Sequence, residues 1–163
     1  MAILYLTCGC PGSGKSTWVQ KHMNPETDKW VSRDAIRFSL LGEKDDYFAK
    51  ENLVYNTFIK TIDYYINQGF NVFADATHLN SASRSKLLKR ISCKPEEINI
   101  IWVDTPLQIA IERNEERKGT RAYVPPEQVR RMFNSFERPL FYEGFKKIYV
   151  IKNNKPMEIL VDN

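Results

Sequence analysis

The chain has 163 residues, of which 42% are hydrophobic and 27% charged, and a formal net charge of +4 at pH 7. This length and balance predict one globular domain, residues 1–163, and no apolar run approaches the roughly 18 residues of a membrane span. The three cysteines, Cys8, Cys10 and Cys93, have no zinc-binding spacing and cannot all pair, which is typical of a reducing compartment. We therefore expect a cytoplasmic protein that does not contact membranes. The mild basic excess favours a polyanionic partner without identifying one.

The first motif along the chain is a glycine-rich loop. Residues 9–16 read GCPGSGKS, which fits G-x-x-x-x-G-K-[ST] and lies between an apolar run and a helix-like stretch. Glycines let such a loop take positive φ, so that successive backbone amides point at a triphosphate. Lys15 would reach the β- and γ-phosphates, and the Ser16 hydroxyl would bind Mg²⁺. The alternative, a turn that carries a lysine by chance, leaves the flanking strand and helix unexplained.

This motif predicts ATP and Mg²⁺ as cofactors. The predicted phosphate-binding residues are Gly12, Ser13, Gly14, Lys15, Ser16 and Thr17, with Ser16 as the metal ligand.

Strands and helices alternate along the chain. Apolar runs predict strands at 2–8, 29–31, 70–75, 98–104, 147–152 and 158–161, the last two forming a hairpin that turns at 153–156. Apolar periodicity and end signals predict helices at 16–24, 47–68, 81–91, 105–117 and 125–137. Thr105, Pro106 and Gln108 fit a capping box at the start of the fourth helix.

This alternation predicts the fold class. It indicates an α/β protein of the P-loop NTPase type, with three α/β/α layers and a mostly parallel central sheet. Segment 118–124 lacks helix or strand periodicity and is rich in charge, so we expect it to be a mobile lid.

Two charged residues follow the second predicted strand. Asp34 and Arg37 lie beyond its carboxyl end, where ligands bind in open α/β sheets. In phosphoryl transfer the attacking hydroxyl must be held in line and lose its proton, which an ionised carboxylate can accept. Arg37 could then hold an anionic part of the acceptor. From spacing alone the alternative stays open that Asp34 caps a helix and Arg37 is its surface ion-pair partner.

Four segments carry a family resemblance. They are GCPGSGKSTW at 9–18, SRDxxR at 32–37, DxTxLN at 75–80 and RNxxRxGT at 113–120. In order and spacing they resemble the bacteriophage and bacterial 5′-polynucleotide kinases over nearly the whole chain. The resemblance implies transfer of the ATP γ-phosphate to the 5′-hydroxyl end of DNA or RNA, in nucleic-acid end repair, inside a bacterium or a phage-infected cell. No Asp-x-Asp-x-Thr phosphatase signature is present, so we expect no 3′-phosphatase activity.

The resemblance also implies roles for the matched residues. Lys15 and Ser16 serve ATP and magnesium, and Asp34 activates the 5′-hydroxyl. Arg37 would bind the 3′-phosphate of the terminal nucleotide. The residues implied to form this acceptor pocket are Arg37, Asp75 and Thr77. Ala76 between the last two departs from the phage pattern and follows the form more often seen in bacterial relatives.

Two arginines of the fourth predicted helix have implied roles as well. The resemblance places Arg113 toward the adenine and Arg117 toward the phosphates, as a catalytic arginine next to the lid. Both lie one helical turn apart among glutamates, so a solvated charged face is the plainer interpretation of the pattern. Arg121, within the lid, is a second candidate for the same role.

Several weaker candidates remain. The basic helix could follow a phosphate backbone or present a solvated face; its charged residues are Arg84, Lys86, Lys89 and Arg90. Aromatic residues that could stack on a terminal base are Tyr47, Phe48 and Tyr123, although most aromatic side chains belong to cores. His78 is alone, and we expect a hydrogen-bonded structural residue there.

Two other functions fit the same motifs. A small-molecule kinase acting on a nucleoside, sugar or antibiotic would use the same loop, Asp34 and lid. A regulatory ATP-binding switch would bind the nucleotide without transferring phosphate. Against the switch, the chain has no guanine-reading Asn-Lys-x-Asp motif and no evident water-positioning residue.

Overall fold

The computed structural model describes residues 2–153 and 155–162. Its strands are β1 (Ile3–Cys8), β2 (Asp28–Ser32), β3 (Asn71–Asp75), β4 (Glu97–Asp104), β5 (Lys147–Lys152) and β6 (Glu158–Val161). Its helices are α1 (Lys15–His22), α2 (Arg33–Leu40), α3 (Glu51–Asn67), α4 (Ser81–Arg90), α5 (Leu107–Glu115) and α6 (Pro126–Asn134), with a 3₁₀ turn at Phe141–Glu143. None of the helices in these ranges is long and apolar enough to cross a membrane.

The strands form one sheet of six in the order β2-β3-β1-β4-β5-β6. Neighbouring strands are parallel except for β5 and β6, which are antiparallel. The predicted three-layer fold with a mostly parallel sheet is confirmed. Because β1 lies in the middle, the loop that follows it emerges between the carboxyl ends of β3 and β4, where parallel α/β sheets bind ligands.

The sheet is covered on both faces, which explains the continuous apolar runs of its inner strands. On one face Leu4 and Leu6 of β1 pack with Phe58 of α3 and Leu87 of α4. On the other face Tyr5 stacks on Phe73 with ring centroids 4.6 Å apart, and this layer packs against Val19 of α1. Burial of both faces fixes the register of β1 and therefore the position of the loop after it.

The structure corrects several predicted boundaries. The helix predicted at 47–68 begins only at Glu51, after turns at 47–50, and the helix predicted at 125–137 ends at Asn134. Residues 33–37, directly after β2, are helical and belong to α2. The predicted hairpin pairing of β5 with β6 is confirmed, while Asn154 of its turn lies outside the described residues.

The capping box predicted at the start of α5 is wrong. The cap position of this helix is Pro106, which makes no side-chain cap hydrogen bond, and Gln108 donates to Glu112 instead. Thr105 has another role, because its hydroxyl donates to the carbonyl oxygen of Ser13 in the glycine-rich loop. Tertiary contact with the loop has replaced the local capping interaction.

The basic helix α4 is not a uniform solvated face. The Arg84 side chain is fully buried, and its guanidinium donates to both carboxylate oxygens of Glu143 at 2.8 and 3.2 Å. It also donates to the carbonyl oxygen of His78 at 2.8 Å. The suggestion that Arg84 follows a phosphate backbone is therefore wrong. This ion pair instead joins α4 to the 3₁₀ turn before β5.

We predict that Glu143→Ala lowers the free energy of unfolding by about 3–5 kcal/mol, because it leaves the Arg84 charge buried without its partner. Glu127→Ala is the matched control, since Glu127 pairs with Arg130 on the exposed surface of α6. Its loss should stay within about 1 kcal/mol. Urea unfolding of the two variants measures both values, and equal losses would contradict a structural role for the buried pair.

Candidate active site

The glycine-rich loop joins β1 to α1 and needs glycine at two close approaches. At Gly12, φ is +82°, and a Cβ atom would lie 2.4 Å from the carbonyl oxygen of Ala110 in α5. At Gly9, φ is +149°, and a Cβ atom would lie 2.8 Å from the carbonyl oxygen of Val103. Any other residue at either position would push the loop away from β4 and α5. Gly14 then precedes α1 in the left-handed conformation.

The loop is held from the side of α5 through one carbonyl group. The carbonyl oxygen of Ser13 accepts hydrogen bonds from the Thr105 hydroxyl at 2.7 Å and from the Arg113 guanidinium at 3.0 Å. Arg113 therefore supports the loop, a contact that its motif did not reveal. Its predicted contact with adenine stays a prediction.

The Lys15 side chain is folded onto the loop. Its ammonium group donates to the carbonyl oxygens of Gly9 at 2.9 Å and Cys10 at 3.0 Å. Burial lowers the pKa of Lys15, and the negative charge of Asp75 partly offsets this effect. The charge of Lys15 therefore sits among the loop carbonyls, at the start of α1, where a phosphate group would meet it.

Asp75 ends β3 beside the loop, and its carboxylate is fully engaged. One oxygen accepts from the Thr7 hydroxyl at 3.0 Å, and the other accepts from the Ser16 hydroxyl at 2.6 Å and the Trp30 indole at 2.9 Å. Asp75 lines the same cavity as Arg37 and Thr77, and its implied place in the acceptor pocket stays a prediction. A carboxylate against the serine of a phosphate-binding loop is the arrangement that holds Mg²⁺ in P-loop NTPases.

Sequence reasoning named both Ser16 and Asp75 but did not join them. The signal in the sequence was a carboxylate at the end of a strand. That strand lies next to β1, which leads into the loop. Using this signal required knowing that β3 lies next to β1, which only the sheet order shows. Ser16 and Asp75 are the described residues best placed to hold a magnesium ion next to a bound phosphate.

Asp34 lies in the first turn of α2. The helix is capped by Ser32, whose hydroxyl accepts from the amide of Ala35 at 3.1 Å, so Asp34 does not cap it. The Asp34 side chain is 57% exposed. One of its oxygens accepts from Arg37 at 2.5 Å and from the Tyr47 hydroxyl at 2.7 Å. The ion pair with Arg37 is thus present, and Asp34 also faces open space.

Arg37 is almost fully buried and already paired. Its guanidinium donates to both carboxylate oxygens of Glu51, at 2.9 and 2.7 Å, in addition to Asp34. Glu51 also pairs with Arg33. Burial alone would raise the pKa of Glu51, but the hydrogen bonds and charges of the two arginines lower it. Glu51 was missed because it begins a different helix and belongs to no recognisable motif.

Tyr47 was predicted only as an aromatic residue, yet its hydroxyl lies at the centre of this network. It donates to Asp34 and accepts from Arg37 at 2.8 Å. Burial, followed by the nearby Asp34 charge, raises the pKa of Tyr47, which keeps the phenol protonated and able to donate. The guanidinium of Arg37 also stacks over its ring, 4.1 Å from the centroid.

A cavity of about 430 Å³ brings these elements together. The predicted phosphate-binding residues that line it are Gly12, Gly14, Lys15, Ser16 and Thr17. The other predicted site residues that line it are Asp34, Arg37, Asp75, Thr77 and Arg117. Ser13 is buried beneath the loop surface. The two groups that sequence reasoning assigned to donor and acceptor therefore share one cavity.

The third wall of the cavity is the connection between α5 and α6, in which Arg117 directly precedes the predicted lid, 118–124, and Arg121 lies within it. The lid is anchored by the fully buried Asn114, whose side-chain amide donates to the carbonyl oxygen of Val124 and accepts from its backbone N–H. Arg121 reaches the carbonyl oxygens of Phe38 and Leu41 at the end of α2, at 3.4 and 3.3 Å.

Comparison with models of protein families places the chain in one of them. The model of the family described as "AAA domain" matches residues 4–139. The chain belongs to the AAA domain family. This AAA domain is also 26% identical over 152 residues to the Arabidopsis thaliana protein named Transcription factor bHLH140, covering 90% of the chain and 15% of that protein. The chain thus corresponds to a small part of this relative.

Solved structures share the α/β fold of this AAA domain. A chain of the Pnkp1/Rnl/Hen1 RNA repair complex superposes with a TM-score of 0.69 and 21% identity, over 82% of this domain and 43% of that chain. A gluconokinase from Sinorhizobium meliloti 1021 superposes with a TM-score of 0.59 and 16% identity, over 95% of this domain and 83% of the gluconokinase chain. At these identities the likeness shows the fold alone.

We predict that Gly12→Ala weakens ATP binding at least about tenfold, because the new Cβ atom meets the Ala110 carbonyl and the loop must move. Gly69→Ala is the matched control, since Gly69 also has positive φ, +90°, but nothing lies within 4 Å of where its Cβ atom would be. It should lose stability through backbone strain while keeping its affinity for ATP. Titration with a fluorescent ATP analogue distinguishes the two effects, and equal affinities would show that the contact is unimportant.

His78 gives a prediction about pH. Its ring is buried and bonded to the Thr7 carbonyl at 2.7 Å, and burial lowers its pKa from 6.5 to about 4. Between these values the unfolded chain binds a proton that the folded chain does not. The free energy of unfolding therefore has its full value above pH 6.5 and falls as the pH drops toward 4, by up to about 1.4 kcal/mol per pH unit.

The measurement is urea unfolding at several pH values across this window. His78→Asn should flatten the dependence, since asparagine tolerates the positive φ of 42° at this position but does not titrate. His22→Asn, at an exposed site, should leave the dependence unchanged. An unaltered slope in His78→Asn would exclude this histidine as the source.

Proposed function

We propose that this domain transfers the γ-phosphate of ATP to the 5′-hydroxyl end of a DNA or RNA strand. The observation that carries the proposal is that the phosphate-binding loop and the Asp34 carboxylate line the same cavity, under the same lid. In-line phosphoryl transfer needs this arrangement, with the donor phosphate on one side and a proton acceptor for the attacking hydroxyl on the other.

The loop would hold the donor. Backbone amides of residues 12–17 and the Lys15 ammonium would surround the β- and γ-phosphates of ATP, at the positive end of α1. Ser16 and Asp75 fit a magnesium ion because their oxygens already lie 2.6 Å apart at the edge of the loop. When bound, magnesium would neutralise charge on the transferring phosphate. Trp30 and Thr7 keep the Asp75 carboxylate oriented.

Asp34 would act as the general base. Arg37 and the Tyr47 hydroxyl both bind its Oδ1 atom, which fixes the carboxylate and directs Oδ2 away from them. A hydroxyl that hydrogen-bonds to Oδ2 would pass its proton to Asp34 as its oxygen attacks the γ-phosphorus. Arg117, next to the lid, would stabilise the charge that develops between the β- and γ-phosphates, and the lid would exclude water.

A nucleic-acid acceptor is supported by the four motifs that resemble polynucleotide kinases and by the cationic side of the cavity. Arg33, Arg37 and Arg121 all line it. The structural neighbour from an RNA repair complex shares the fold. These observations support the proposed acceptor class together, since a strand end presents a phosphate near the reacting hydroxyl.

A second candidate acceptor is a small hydroxyl compound. The charges of Arg33 and Arg37 are already opposed by Glu51 and Asp34, so an acceptor phosphate would have to compete with two carboxylates for Arg37. An uncharged polyol would meet no such competition. A gluconokinase shares the fold, which keeps this alternative in the test.

We predict that Asp34→Asn lowers kcat for phosphate transfer at least about 100-fold, since it keeps the side-chain shape but removes the base. ATP affinity should change less than about twofold, because Asp34 does not touch the loop. Asp46→Asn, at an exposed position in the segment before α3, is the control and should transfer phosphate at the wild-type rate. A wild-type rate in Asp34→Asn would remove Asp34 from the mechanism.

The acceptor class is tested separately with labelled ATP. Transfer to a 5′-hydroxyl oligonucleotide, with little label on nucleosides or sugars, is the expected result. Preferential labelling of a sugar or nucleoside would favour the small-molecule kinase. ATP binding without transfer to any acceptor would favour a regulatory nucleotide-binding protein.

A further inference from the structure

The mouth of the cavity carries an exposed aromatic side chain that the proposed reaction does not use. Phe48 lines the cavity and is 61% exposed, in the turn between α2 and α3. Other large apolar side chains, such as Tyr64 and Tyr142, are exposed as well, so exposure alone does not distinguish Phe48. Its position in the wall of the cavity does.

The Phe48 ring packs against a second aromatic ring, which in turn packs against a third. Phe48 meets Tyr47 edge to face, with ring centroids 4.7 Å apart and an interplanar angle of 85°. Tyr47 meets Phe38 of α2 in the same way at 6.2 Å. The Tyr47 hydroxyl is in turn bound to Asp34 and Arg37. The three aromatic rings therefore form a series that begins at α2 and ends at the open ring of Phe48.

The position of the series relates Phe48 to the reacting group. Tyr47 contacts the Asp34 carboxylate through its hydroxyl and Phe48 through its ring. A group that occupies the open face of Phe48 is therefore separated only by Tyr47 from the Asp34 carboxylate, which is the proposed general base. Arg37 lies 6.0 Å from the Phe48 centroid and Arg121 lines the same cavity, so an aromatic face and positively charged side chains share this cavity.

That combination is suited to a nucleobase. Bases stack on aromatic side chains, and neighbouring cations attract the strand that carries them. Tyr47 is unavailable for stacking, since Arg37 covers its ring at 4.1 Å and Phe48 lies against it. Phe48 has the open face. A nucleobase has a planar face that can stack on this ring, and a sugar lacks one.

We propose that Phe48 stacks on the base of the 5′-terminal nucleotide of the acceptor and thereby selects acceptors that carry a base. This proposal rests on the proposed function and names a residue that determines its specificity. Stacking holds the terminal nucleotide so that its 5′-hydroxyl lies at Asp34, and it affects the acceptor without affecting ATP.

The test combines two protein forms with two acceptors. Wild-type protein and Phe48→Ala are each assayed on a 5′-hydroxyl oligonucleotide and on the same oligonucleotide with an abasic 5′-terminal residue. Stacking of one base contributes roughly a 5- to 100-fold effect. We expect removal of either the ring or the base to lower kcat/KM for the acceptor by that factor, mainly through KM, and removal of both to add little more.

Two further variants serve as controls. Leu53→Ala truncates an apolar side chain of α3 that is 51% exposed, and it should leave both acceptors unchanged. Phe48→Trp keeps an aromatic face and should retain discrimination against the abasic acceptor. The KM for ATP should be the same in every form.

The outcomes separate the two proposals. Fully additive losses, or a Phe48→Ala variant as active as the wild type on the intact oligonucleotide, would overturn stacking while leaving the kinase assignment in place. Failure of the wild-type protein to label any oligonucleotide would overturn the proposed function, and the stacking proposal with it.

Discussion

The structure depends on how tightly the glycine-rich loop is clamped between β1 and α5. Gly12 lies against the Ala110 carbonyl without room for a side chain, and the Ser13 carbonyl is held by Thr105 and Arg113. Both contacts come from the segment after β4, about a hundred residues along the chain. Because Thr105 and Ala110 are buried and Arg113 is half-buried, these contacts hold the loop in place without a ligand, which is the preorganisation that electrostatic stabilisation of a phosphate requires.

Charge balance governs the opposite side of the cavity. Two arginines and two carboxylates lie together there, and each arginine is paired with Glu51. Buried charges without partners are strongly destabilising, so Glu51 makes it possible to keep Arg37 inside the domain at all. The same pairing limits how strongly Arg37 can attract a further anion. A neighbouring contact with the uncharged part of the acceptor, such as stacking on Phe48, is therefore well suited to supply the remaining selectivity.

The lid connects the two sides. Asn114 anchors it to α5, the helix that also supports the loop through Arg113. Arg121 joins it to the end of α2, the helix that carries Asp34. The lid therefore contacts both α5, which supports the proposed donor site, and α2, which carries the proposed acceptor groups. These two helices are far apart along the chain. In the proposed reaction this lid would exclude water while Arg117 supplies positive charge.

The sequence by itself determined the features that depend on neighbouring residues. Glycine spacing identified the loop, apolar runs placed all six strands, and the residues after the second strand pointed to Asp34. Tertiary structure alone decided which groups meet. Asp75 joins Ser16 across 59 residues, Glu51 joins Arg37 across two helices, and Arg84 is buried against Glu143. Local patterns reflect backbone preference and solvent exposure, both set within a few residues. Pairing between distant polar side chains depends on sheet order and helix packing, for which a single sequence carries no periodic signal.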